Sequence, residues 1–531
     1  MKKSFITALT LCIAVMFGII CTSRPAHASF QLYNGKLEIS GFLKNTTYYR
    51  TNMCDRDKPY HDSKIDFSKN AALLEVLYNF RETDTYSLRF FGSVRYWYEM
   101  ASQFDDELRH SIPSKLRRNY RNPRSFDDDV LTELYVDYIH GPWDVRVGKQ
   151  IITWGELDVD RAADVVNPID LRWGVPGIEA WEELKRAKWL IRTTYQSTLP
   201  GNLLFENIIN PGHFLTALPA PPTGTHWSAS QFRDNPFSKW GPGVFGWQLT
   251  RWMHEAREQR YDIHNWELGF RVRGYTYNID WTLLWWNAPS SGPIVDPVAA
   301  KGYTSQYFGA AIPAVIQGKQ VSWNDLPDPT DYPRDVFKWR RYQIFGATAQ
   351  TTFSNFMPSA VWRCEIAYGK HEPFNVSTDQ TKTNIYGVRR QDTLAFAFSW
   401  SDKWEIPWVT RHICTGKQME TTITYYRQNV LNRSHDLVTQ DYYIDKSDTF
   451  NEKISMFLQL YMLNYAWVFT CVGSYQTKSD RWFIAPILSY VFPGEHWRID
   501  AGWKGYGTKH GYLRGSYFDK DSVIFRLRYE F

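Results

Sequence analysis

The chain has 531 residues, 22% of them charged and 17% aromatic, with a formal net charge of +5 and a mean hydropathy of -0.46. That charge excludes the strongly basic domain a nucleic-acid partner would ask for. Beyond the amino terminus no stretch approaches the roughly 18 uninterrupted apolar residues of a membrane helix. So many Tyr and Trp at so modest a hydropathy instead fit the weak, distributed signal of a transmembrane β-barrel.

Residues 1–28 read as a secretory signal: two lysines, an apolar run from about Phe5 to Ile20, and Ala26-His27-Ala28 before Ser29. Cleavage near Ala28 removes Lys2, Lys3 and Arg24, leaving a charge of +2. Residues 29–531 are then expected to form one all-β domain in the outer membrane of a Gram-negative bacterium.

Period-two alternation recurs along that domain, one face apolar and one charged. Between Tyr86 and Tyr98 the apolar set faces Arg89 and Arg95, and between Val130 and Tyr138 it faces Glu133 and Asp137. From Trp143 onward, Trp143, Val145 and Val147 alternate with Asp144 and Arg146. From Trp266 to Arg273 the charged face carries Glu267, Arg271 and Arg273. Arg498 and Asp500 follow between Trp497 and Lys504, and Arg526 and Arg528 in the terminal SVIFRLRYEF.

About eighteen such segments start near Lys36, Ala71, Tyr86, Val130, Trp143, Lys188, Asn202, Asn265, Ile279, Arg341, Ser359, Asp392, Lys417, Ser455, Phe469, Trp482, Trp497 and Ser522. Many run to about ten residues, the length of a tilted membrane strand, where soluble strands stop near five or six. Turns after the even strands are mostly tight, as at His140-Gly141-Pro142 and Tyr277-Asn278, and loops after the odd strands mostly long. A soluble sandwich has no reason to sort its connections this way. The expectation is a closed antiparallel transmembrane barrel of about 18 strands, with 16 as the alternative, short periplasmic turns and long extracellular loops. Apolar faces meet outer-membrane lipid and the charged ones line a wide lumen as opposed positive and negative ladders. Turning Arg526 or Arg271 to the bilayer midplane would cost about 2 to 4 kcal/mol.

After the strand predicted over Trp143 to Thr153 comes a run rich in acids: Glu156, Asp158, Asp160, Asp164 and Asp170, with Arg161 among them. It is read either as a solvated surface loop or as a constriction, residues 154–187 folded into the lumen to select solutes by charge. Trp154, Val159, Val165, Val166 and Ile169 give it more apolar surface than a loop free in water, and Asn167-Pro168 favours a turn. The run Gly148-Lys149-Gln150, Trp154-Gly155-Glu156 and Val165-Val166-Asn167-Pro168-Ile169-Asp170 resembles the signature of proteobacterial outer-membrane proteins grouped as domain-of-unknown-function family thirteen-oh-two. The resemblance implies an outer-membrane barrel acting as a channel or uptake protein, and it brings no catalytic residues.

The loop 210–263 is rich in aromatics, among them Trp240, Trp247 and Trp252, which either line an entrance for apolar solutes or pack the loop into a cap. No G-x-S-x-G, H-E-x-x-H or Walker motif appears, and the G-x-G-x-x-G at Gly241 to Gly246 lacks a surrounding βαβ unit. No enzyme activity, metal or cofactor is expected. Cys364 and Cys471 fall on apolar strand faces, while Cys54 and Cys414 lie near opposite rims, so no disulfide is expected. The carboxyl-terminal strand, ending in Phe531, is expected to engage the barrel-assembly machinery. The function expected is a channel for small solutes, with binding-driven uptake of hydrophobic compounds as the alternative and an enzyme or adhesin more remote.

Overall fold

The structure is a computed structural model that describes residues 29–51, 65–100, 130–170, 177–213, 263–290, 292, 294–298, 337–353, 359–377, 385–405, 408, 419–434, 436–438, 450–463, 465–477, 480–508 and 521–531. Among them, eighteen strands form the wall: β1 (Leu37–Arg50), β2 (Ile65–Thr83), β3 (Tyr86–Glu99), β4 (Leu131–His140), β5 (Trp143–Gln150), β6 (Lys188–Gln196), β7 (Leu204–Asn210), β8 (Glu267–Thr276) and β9 (Ile279–Pro289) make the first half. The second half is β10 (Arg341–Thr352), β11 (Val361–Ser377), β12 (Ile385–Trp404), β13 (Met419–Val430), β14 (Phe450–Met462), β15 (Trp467–Gln476), β16 (Arg481–Val491), β17 (Trp497–Thr508) and β18 (Ser522–Glu530). Each strand pairs antiparallel with its successor, as β14 does with β15, and β18 returns to β1 with Leu43 opposite Tyr529. The ring is therefore closed, and no wall strand keeps an unpaired edge, the condition for β-structure to cross a bilayer.

The expected register holds. Val94, Val147, Phe270, Phe398, Phe525 and Leu527 point outward and are exposed. Near the short-turn rim, rings pair in a girdle: Trp143 with Tyr195 at 4.6 Å, Trp467 with Tyr490 at 4.8 Å and Trp497 with Tyr529 at 4.7 Å. An apolar band flanked by such rings is the surface a barrel shows to lipid. Cys364 and Cys471 are free thiols, on the outward faces of β11 and β15, whereas Cys54 and Cys414 lie outside the described residues.

Several boundaries differ from expectation, among them the start of β14, at Phe450 rather than near Ser455. Strands β2 and β12 begin at Ile65 and Ile385, six and seven residues earlier than the alternation suggested; the added stretch of β2 turns the polar Ser68 and Asn70 outward, so the apolar half of the alternation is missing there. Strand β5 stops at Gln150 rather than Thr153. There the chain turns away: Gly148, at φ +141°, lies so close to β4 that a Cβ would meet the Leu134 carbonyl oxygen at 2.2 Å, and the Ile152 N–H donates to Asn167 Oδ1 at 2.7 Å instead of to a strand.

Candidate functional site

The described parts of segment 151–187 lie inside the barrel. Asn167 forms the neck, its Nδ2 donating to the Gln150 and Arg186 carbonyls at 3.3 and 2.8 Å, so one amide ties the outgoing chain to the returning chain. Beyond it Trp154, Leu157, Ala163 and Val166 are fully buried against Ile208, Leu284, Trp286, Ile344, Ala367 and Ala397 of β7 and β9 to β12. Trp154 meets Trp286 edge to face at 5.6 Å and donates from Nε1 to Glu206 at 2.6 Å. The apolar content that argued against a free loop is thus matched by an apolar patch on the lumen wall. Removing side chains of this size from water is the main force holding the segment inside.

Glu365 of β11 fastens this half. Its fully buried carboxylate accepts the backbone N–H groups of Glu156, Leu157, Ala162 and Ala163 at 2.5, 2.9, 2.7 and 2.8 Å. Charge-assisted bonds to an ionised acceptor are the strong kind, and four converge on one side chain.

The far half grips the opposite wall. After Gly177, whose φ of +89° and close approach to Val472 leave no room for a Cβ, Glu179 lies 2.9 Å from Lys44 of β1, 3.5 Å from Arg526 of β18 and 4.0 Å from Lys69 of β2. Glu183, on the short helix α1 (Trp181–Leu184), pairs with Lys44 at 2.5 Å. Burial alone would push the Glu179 carboxyl up, but Lys44, Lys69 and Arg526 overcome it and hold the group well below the usual carboxylate range. Since β11 and β1 stand on opposite sides of an eighteen-strand ring, the segment spans the bore.

The acids singled out in the sequence divide into two kinds. Asp164 is taken up by Lys185 at 2.6 Å and Arg161 at 3.1 Å, and Asp160 by Lys453 at 2.6 Å. Burial pulls the Lys185 ammonium down, against the opposing pull of Asp164. Asn167 and Asp170 are buried. These four, with Trp154, hold the segment's shape rather than meeting passing solutes, a correction to the expectation that the whole run presents charge to the lumen. Asp158 and Glu156 stay open: the Asp158 side chain is 55% exposed beside Arg363, 3.3 Å away, and Glu156 lies 3.9 Å from Arg273.

The expected lumen residues all face inward, but not as opposed ladders. Asp137 takes Arg146 at 2.7 Å and Arg89 at 3.4 Å; Glu206 takes Arg271 at 2.9 Å, Glu267 takes Lys188 at 2.8 Å, and Asp280 takes Arg273 at 3.1 Å. Asp500 bridges Arg498 at 2.7 Å and Arg526 at 3.2 Å, and Arg528 meets Glu530 at 2.6 Å. Arg95 lies over the Trp97 ring at 4.9 Å, and Glu133 accepts the Ile151 N–H at 2.8 Å. Cross-strand neighbours are close enough for opposite charges to neutralise locally, which wins over segregation into two fields.

Lys44, Lys69, Lys188, Glu206, Glu365 and Lys453 were not among the expected site residues. Their inward parity was readable, yet nothing local marks a partner 65 residues away, as for Glu206 and Arg271, or 293 residues away, as for Lys453 and Asp160. Trp240, Trp247 and Trp252 lie outside the described residues.

A closed wall with an apolar girdled exterior and a chain segment anchored across its bore defines a membrane-spanning β-barrel with an internally narrowed lumen. The chain belongs to the family described as "Protein of unknown function (DUF1302)", whose model matches residues 9–475. No curated protein matches it. Among solved structures it is similar to Acinetobacter baumannii OccAB3, at 9% identity and a TM-score of 0.46 over 93% of this chain and 99% of that one. It is also similar to Acinetobacter baumannii OccAB4, at 11% and 0.45 over 93% and 98%, and to Pseudomonas aeruginosa OccK3, at 10% and 0.43 over 93% and 95%.

Proposed function

We propose that this protein is an outer-membrane channel for small hydrophilic solutes, with segment 151–187 setting the width and charge of its bore. The observation that carries the reading is the double anchorage on opposite walls, at Glu365 and at Lys44 with Arg526. An eighteen-strand barrel is too wide for its own side chains to fill, so a segment crossing it decides what passes. The exposed Asp158–Arg363 pair and the neighbouring Glu156 and Arg273 supply charges that water-borne solutes meet at the constriction. Insertion would proceed through the barrel-assembly machinery reading the terminal strand. Phe531 supports this by closing the seam, exchanging backbone bonds of 2.9 and 3.0 Å with Gly41.

Planar-bilayer recording of the purified full chain tests the reading. The wild type should give steady, small single-channel conductance, and replacing residues 156–164 by a short Gly-Ser linker should raise it several-fold. Absence of conductance in both proteins, with the barrel intact by unboiled gel mobility, would overturn it.

A further inference from the structure

The outward face of β1 and β2 interrupts the lipid-facing surface. Asn45, Thr47, Ser68 and Asn70 point away from the lumen, since they pair across strands with outward residues of β18: Asn45 opposite Leu527 and Thr47 opposite Phe525 on one side, Asn70 and Ser68 on the other. They form one hydrogen-bonded chain. Asn45 Nδ2 donates to Asn70 Oδ1 at 2.9 Å, the Thr47 hydroxyl donates to Asn45 Oδ1 at 3.0 Å, and Thr47 Oγ1 lies 3.0 Å from Ser68 Oγ.

This tetrad sits inside the hydrocarbon band. Leu527 and Phe525 are two and four residues along β18 from the girdle ring Tyr529, which packs on Trp497. At about 3.4 Å per residue on a strand tilted about 40°, the tetrad lies roughly 5 to 10 Å into a band about 25 Å tall. Acyl chains offer amides and hydroxyls no partners, and the headgroups do not reach this depth. A protein surface does. We propose that this face docks a second copy of the same chain. The tetrad is uncharged, and although Ser68 is itself buried beneath it, Asn45 and Thr47 both donate and accept at the surface, so identical patches can bond each other, where a patch of one charge sign would repel its copy. Short side chains here, with Ala72 beside them, also let two sheets approach closely.

The test is crosslinking in native membranes with a short bis-maleimide, in a chain whose other cysteines are replaced by Ser. T47C should give a band at twice the chain mass, and L283C, on the far side of the barrel, should not. Adding N45L/N70L to T47C should abolish the band while unboiled mobility shows an intact barrel; N45A/N70A serves if the leucines perturb assembly. No crosslink from T47C, equal crosslinking from L283C, or a product containing a different protein would overturn the proposal.

Discussion

The Glu179 carboxylate and the Lys44 ammonium lie 2.9 Å apart, both almost wholly shielded from water, on the wall facing the Glu365 cradle. Breaking a buried pair by removing one partner leaves an uncompensated charge, at a cost of about 3 to 5 kcal/mol. Glu179→Ala would leave Lys44, Lys69 and Arg526 crowded around a void. The far half of the segment should then detach while the barrel persists. Limited proteolysis should cut between residues 177 and 187, and single-channel conductance should rise. Unchanged protease resistance would remove Glu179 from the anchorage.

At the other wall, Glu365→Gln keeps the shape and removes the charge. Its amide offers a single acceptor oxygen to four backbone donors and turns an NH2 group toward the rest. Each buried donor left without a partner costs about 1 to 3 kcal/mol. Hydrogen exchange at the amides of Glu156, Leu157, Ala162 and Ala163 should quicken together by at least tenfold, and the strand ladder of β11 should keep its protection. Exchange unchanged at these four amides would show that the apolar contacts around Trp154 suffice.

How far this arrangement could be read from the sequence depended on whether the cause was local. Strands such as Trp497 to Thr508 and Ser522 to Glu530 are legible because lipid on one side and water on the other impose period two. The early residues of β2, IDFSKN, turn Ser68 and Asn70 outward instead of apolar side chains, and those of β12, IYGVRRQ, likewise break the alternation, so neither stretch carries that imprint. Apolar residues within an acidic run hinted that segment 154–187 had somewhere to pack. Where it packs was hidden, since Trp286 and Ala397 occupy positions whose parity alone says lumen and therefore water. Glu365 illustrates the limit: one inward carboxylate among many, given its role by amides more than 200 residues earlier in the chain.

Acid should release the far anchor only late. Glu179 and Glu183 both have carboxyls held below their ordinary value, Glu183 against burial by Lys44. A depressed folded value means that the stability they add is present above the unfolded carboxylate range, about pH 4.3, and is lost as pH falls through the lower folded values. Conductance should therefore stay level from pH 7 to about pH 5 and rise only under stronger acid. A rise between pH 7 and 5 would place the controlling titration on other groups.

Charge selectivity should follow exposure rather than the count of acids in the segment. The Asp158 side chain is 55% open to water, whereas that of Asp164 is 7% exposed and neutralised by Lys185 and Arg161. A field that steers ions must come from charge that the ions can approach without an intervening counter-charge. D158N should therefore shift the reversal potential in a salt gradient toward anions, leaving the Arg363 guanidinium beside the path with no carboxylate to offset it. D164N should leave selectivity nearly constant and instead loosen the segment, seen as noisier open-channel current. Equal shifts from the two variants would mean that Asp164 faces the path in the conducting state, and that its pairing with Lys185 opens during conduction.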